Sequence, residues 1–122
     1  MILADTSVWV DHVRRRNPDL TDLLDAGEIL THSFVIAEVA MGNLPRRPTF
    51  LEAMDKLRRA ATASDREAIS LMERERLYGL GIGFVDLHLL ASTRLTPSAT
   101  LWTRDRRLRE IARRLGVGDP RS

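Results

Sequence analysis

No cysteine occurs among the 122 residues. That excludes a disulfide framework, a thiolate metal site and a cysteine nucleophile, and it fits a reducing compartment. No apolar run approaches the roughly 20 residues that a membrane-spanning helix needs. No basic segment precedes the opening MILADTSVW, so this stretch does not read as a signal peptide, and the expected location is the cytoplasm. Internal repeats, low-complexity tracts and linkers are absent as well. The length suits one domain over residues 1–122 with a single core. Neither a Walker loop nor a GxGxxG turn is present, and no serine, histidine and aspartate follow the order of a hydrolase triad.

Lysine is almost missing. Lys56 stands alone among 19 basic residues, and the others are arginine. The net charge is only +2, yet the isoelectric point is near 9.9. Arginine favours bidentate contacts with phosphate and carboxylate, although a GC-rich genome supplies the same bias. The arginines cluster at Arg14-Arg15-Arg16, Arg46-Arg47 and Arg58-Arg59, with six between Arg104 and Arg114. Such clusters either track a nucleic-acid backbone or form solvated helix faces.

Ile2-Leu3-Ala4 predicts a strand ending at Asp5, with Thr6 or Ser7 capping the helix that follows. Asn17-Pro18 has the cap-then-proline form of a helix start, ending at Gly27. Glu28 to His32 predicts a second strand. Ser33 is placed to cap a helix carrying Glu38 and stopping at Gly42-Asn43. Phe50 to Ala61 reads as helical. Ser64-Asp65-Arg66-Glu67 has capping-box spacing and opens the next helix. Phe84 to Arg94 predicts another helix, Ala99 to Thr103 a buried strand, and Arg104 to Leu115 an amphipathic helix with Leu108, Ile111, Ala112 and Leu115 inward. Val117 starts a final short strand. Strands alternating with helices predict an α/β domain with a mostly parallel sheet, whose sites gather beyond the carboxyl ends of the strands.

Four acids fall where that rule applies. Asp5 ends the first strand, and Asp105 lies just past the strand Ala99 to Thr103. Glu38 is the one charge in SFVIAEVAMG, and Asp86 the one acid in GFVDLHLLA. Each also has a plain structural reading: Asp5 as a helix cap, Glu38 paired with an arginine, Asp86 and Asp105 as helix-start acids favoured by the dipole. Read together, converging carboxylates in a semi-buried pocket need a counter-charge. An oxygen-only set suits Mg²⁺ or Mn²⁺, and such ions support phosphodiester cleavage. Thr6, Ser7 and Thr103 would hold the acids or touch phosphate. His88 lies two residues from Asp86, and such neighbours do not face each other on a helix. His12 and His32 read as surface or edge residues. Ser7 replaces the second aspartate an aspartyl phosphatase needs, and a response-regulator receiver would need a late lysine.

ILADTSVWVD, VIAEVAMGN, GFVDLHLLA and LWTRDRRL resemble, in order and spacing, the motifs of PIN-domain proteins, and most closely the VapC-type ribonuclease toxins of type II (VapBC) toxin–antitoxin systems. The resemblance extends over essentially the whole chain. It implies a three-layer α/β/α fold around a parallel sheet of about five strands. It also implies a Mg²⁺- or Mn²⁺-dependent endoribonuclease that uses a metal-activated water and leaves a 5′-phosphate and a 3′-hydroxyl. Asp5, Glu38, Asp86 and Asp105 take the acidic positions by motif. Asp5 and Asp86 are the principal metal ligands so implied, Glu38 assists, and Asp105 has the most variable role.

The resemblance further implies a homodimer and a cognate VapB-like antitoxin, joined in a heterotetramer or larger assembly that meets DNA only through the antitoxin. Its contact surface is expected near Met41, Leu44, Pro45 and Trp9. Two other functions compete: a non-catalytic PIN module that binds RNA or a protein partner, and a housekeeping PIN nuclease.

Overall fold

The computed structural model describes residues 1–122. Its first strand, β1 (Ile2–Ala4), is the centre of a parallel sheet with strand order β2-β1-β3, where β2 is Ile29–Leu30 and β3 is Thr100–Trp102. Ile2, Leu3 and Ala4 are 8%, 0% and 0% exposed. Successive strand residues point to opposite faces, so both faces of the sheet are covered. Helices supply that cover: α1 (Thr6–Arg14), α2 (Pro18–Asp25), α3 (Ser33–Ala40), α4 (Arg47–Asp55), α5 (Asp65–Glu75), α6 (Phe84–Leu95) and α7 (Arg106–Arg114). This is the expected α/β/α layering, because parallel strands buried on both faces need helical crossovers.

The sheet is narrower than the expected five strands. Three strands form ladders, and the two outer positions shrink to single parallel bridges, Thr31↔Arg59 and Leu101↔Gly118. The predicted second strand and the strand at Val117 are accordingly shortened. Both outer segments are held by only a few backbone bonds, such as Thr31 N–H to Arg58 C=O and Leu101 N–H to Val117 C=O.

Several helix starts follow their sequence signals. Asn17 caps α2 by accepting from Leu20 N–H, with Pro18 at the first position. Ser64 and Glu67 complete a capping box on α5. In α7, Leu108, Ile111 and Ala112 are buried and Leu115 lies half-buried just past its end. Other starts differ. The cap of α1 is Asp5 itself, rather than Thr6 or Ser7. His32, rather than Ser33, caps α3: its Nδ1 accepts from Phe34 N–H at 3.0 Å. Helix α4 covers Arg47–Asp55, so it starts before Phe50 and stops well short of Ala61, because Arg59 is drawn to the sheet edge beside Thr31.

Candidate active site

Parallel strands deliver their carboxyl ends to one rim, and the chain turns there into helices. Asp5 follows β1 directly, and its N–H still bonds Trp102 C=O of β3 at 3.0 Å. Thr103 follows β3 beside it. Asp5 is buried, and its carboxylate is engaged through both oxygens. Oδ1 accepts from Ser7 Oγ at 2.5 Å and from Val8 N–H at 3.2 Å, and Oδ2 accepts from Thr103 Oγ1 at 2.5 Å. Burial raises its pKa above the ordinary carboxylate range, and these hydrogen bonds pull it back.

Asp105 caps α7 through Oδ1, which accepts from Leu108 N–H at 2.9 Å. Its own N–H donates to Thr103 Oγ1 at 3.0 Å. Thr103 therefore touches two of the acids. Ser7 Oγ also accepts from Arg104 N–H at 2.9 Å, which ties the start of α1 to the segment after β3.

Glu38 and Asp86 complete the rim from the other side. Helix α3 buries Val35 and Val39 but leaves Ala37 and Glu38 exposed. The apolar segment thus does not bury its charge. Glu38 Oε1 instead accepts from Thr6 Oγ1 at 2.6 Å, so α1 and α3 meet through that pair. Asp86 sits at the third position of α6, half-buried, with Oδ2 accepting from Gly83 N–H at 3.3 Å. Burial raises its pKa most, the Gly83 bond lowers it, and the charges of Asp5, Asp105 and Glu38 raise it further. That mutual repulsion places Asp86 within electrostatic reach of the other three acids.

None of the four carboxylates takes part in an ion pair. Their negative charge is met only by hydroxyls, backbone N–H groups and the amino ends of α1, α6 and α7, which all start at this rim. Three or more acidic or histidine side chains do not close into a ready-made metal cage anywhere in the chain. A hard divalent cation does not require one, since it keeps most of its water and takes one or two carboxylates. The donor set, oxygen-only and short of positive charge, fits such an ion.

The surface or edge reading of His32 and the partner-contact reading of Trp9 need correction. His32 is fully buried, with Nε2 3.1 Å from Ser92 Oγ. His88 is buried too, against Asp65 at 2.9 Å, and forms no part of the acidic rim. His12 is half-buried and accepts from Asn17 N–H. Trp9 lies in the core at 3% exposure, against T-shaped Phe50, and offers no surface to a partner, whereas Met41 is 89% exposed. Ser122 was invisible as a site residue in the sequence, yet its Oγ accepts from Thr103 N–H at 3.0 Å. Nothing local signals a contact across 19 residues.

Residues 2–114 match the PIN domain family. Over 117 residues, 96% of this chain and 94% of the relative, the sequence is 40% identical to Ribonuclease VapC32 of Mycobacterium tuberculosis, in each of two strains. With a fold of helices about a parallel sheet, acids gathered at its carboxyl rim and a family match across nearly the full length, the chain belongs to the PIN domain family.

Proposed function

We propose that this protein is a divalent-metal-dependent endoribonuclease, the VapC-type toxin of a toxin–antitoxin module. The observation that carries the reading is the set of four carboxylates on the rim with no cation paired to any of them, in a chain 40% identical to a named ribonuclease. Asp5 is buried and Asp86 half-buried, with the exposed Glu38 and Asp105 beside them, and charge held there is unfavourable unless the site serves to bind a cation.

In this reading Asp5 and Asp86 hold Mg²⁺ or Mn²⁺, with Glu38 and Asp105 assisting. A cation bound there would supply Lewis-acid stabilisation of the phosphoryl group and would activate water for attack. The chain's own groups prepare the site. Ser7 and Thr103 lock both oxygens of Asp5, so its carboxylate cannot rotate away. Thr6 aims Glu38 inward. The amino ends of α1, α6 and α7 favour negative charge where phosphate must approach. Exposed arginines outside the rim, such as Arg14, Arg15 and Arg58, draw the RNA backbone towards an acidic centre that repels it without metal. A VapB-like antitoxin silences the site, and the exposed surface around Met41 and Pro45 is the contact consistent with that role. The active form is a homodimer, carried into a heterotetramer or larger complex with the antitoxin.

The test is cleavage of total bacterial RNA by purified, antitoxin-free protein with Mg²⁺, Mn²⁺ or EDTA, beside Asp5→Asn. Metal-dependent cutting lost in Asp5→Asn supports the nuclease. Metal binding without cutting of any RNA would move the reading to a non-catalytic module.

A further inference from the structure

Thr103 is the joint between the sheet and the acids. Its hydroxyl donates to Asp5 Oδ2 and accepts from Asp105 N–H, so a shift of Thr103 moves both. Yet Thr103 lies beyond the β1–β3 ladder, whose last registered pair is Ala4↔Trp102. Its own N–H is taken by Ser122 Oγ at 3.0 Å, and the same hydroxyl donates to Leu101 C=O at 3.2 Å. A hydroxyl can donate once and accept at the same time, so both bonds coexist.

Ser122 is in turn fixed by Asp119. Its N–H bonds Asp119 C=O at 3.0 Å, and Asp119 N–H bonds Leu101 C=O at 3.0 Å. The Asp119 carboxylate is 3% exposed. Its Oδ2 accepts from Thr100 Oγ1 at 2.8 Å, and its Oδ1 accepts from Arg121 N–H at 2.8 Å and from the Arg121 guanidinium at 3.3 Å. Residues 119–122 thus form a short strut alongside β3, from Thr100 to Thr103. A segment that only closed the sheet edge would stop at the strand's backbone. This one reaches past it, to the residue holding Asp5 and Asp105. It also lies outside the residues matched by the family, 2–114.

We infer that the strut Asp119–Ser122 is a positioning element for the acidic rim, with Ser122 acting through Thr103 to set Asp5 and Asp105 for a divalent cation. The inference rests on the nuclease reading for what the cation does, but not for whether it binds. Metal-free amide exchange, a Mn²⁺ binding isotherm and RNA cleavage kinetics on wild type, Ser122→Ala and Ser122→Thr test it. Residues that orient metal ligands typically contribute about 10–100-fold in affinity or activity. Acting one residue further out, Ser122→Ala is expected at the lower end, with Mn²⁺ affinity and kcat each about tenfold weaker. KM for RNA should stay unchanged, the Thr103 amide should exchange faster, and Ser122→Thr should restore all three. Unchanged Mn²⁺ affinity in Ser122→Ala, or no Mn²⁺ binding by wild type, overturns the inference. So does a Thr103 amide that exchanges without protection in wild type. Intact Mn²⁺ binding with no RNA cleavage counts against the nuclease reading alone, and the exchange and binding results still decide the strut.

Discussion

The two sides of the acidic rim are built differently. On the β1–β3 side, Asp5 accepts three hydrogen bonds through both its oxygens, and Thr103, Ser7, Asp105 and Arg104 interlock around it. On the α3–α6 side, Glu38 and Asp86 make one bond each and keep solvent access. Burial is the first cause of the raised pKa in both Asp5 and Asp86, but the opposing forces differ: hydrogen bonds restrain Asp5, whereas repulsion from three acids adds to the rise at Asp86. One side is a fixed scaffold, and the other is an adjustable arm whose charge is left over for a ligand.

The sharpest break in that contrast is Asp5→Asn. An amide NH₂ cannot accept the hydroxyl bonds that one carboxylate oxygen now takes, so the variant loses a proposed metal ligand and disturbs the lock together. Cleavage of RNA should fall by about a thousandfold or more in kcat/KM. Asp86→Asn comes next, at about a hundredfold, because it removes the other proposed metal ligand but leaves the scaffold intact. Its second signature separates the two sides. Deleting one of four repelling charges should raise the melting temperature of the metal-free protein, whereas Asp5→Asn should lower it. An Asp86→Asn protein that melts lower without metal would show that Asp86 is structural.

Thr103→Val tests the scaffold without removing an acid. It deletes the hydroxyl bond to Asp5 and leaves Asp105 N–H without its partner, and activity should drop about tenfold or somewhat more. Thr6→Val is the matching change on the adjustable side. It frees an exposed Glu38 that water can solvate, so the loss should stay within about threefold, in line with the small net worth of exposed polar contacts. Single-turnover cleavage of one defined RNA by both variants measures the difference. Equal losses would erase the distinction between scaffold and arm.

The same contrast explains what could be read from the sequence. Asp5, Asp105 and the helices they begin were legible because strand, acid and helix lie within a few residues, and Ser64 to Glu67 carried its capping box in four. Glu38 was harder. Its apolar neighbours suit a buried segment, but helix geometry buries only Val35 and Val39 fully and leaves Glu38 exposed. His32 hid both its burial and its capping role, since histidine is an uncommon N-cap and its ring is fixed by Ser92, 60 residues away. The outer strands failed for a related reason. Pairing at a sheet edge depends on the partner segment, and a bridge of one residue leaves no periodicity to read.

The smallest expected effect is the pH dependence of stability in metal-free protein. A carboxyl whose pKa is higher in the folded state binds its proton more tightly there, so it favours folding at low pH. That contribution is present below the unfolded value, about 3.9 for aspartate, and is lost as the pH rises through the folded one. Asp5 and Asp86 are both raised, so each should pull stability down across that window. Asp86→Asn should remove one share of this decline and leave the share of Asp5, and saturating Mg²⁺ should flatten what remains by holding both carboxylates ionised. Urea denaturation from pH 4 to 8, with and without Mg²⁺, measures the slopes. A decline unchanged by Mg²⁺ would mean that the cation does not reach these two groups, and the adjustable side of the rim would then have no ligand to adjust to.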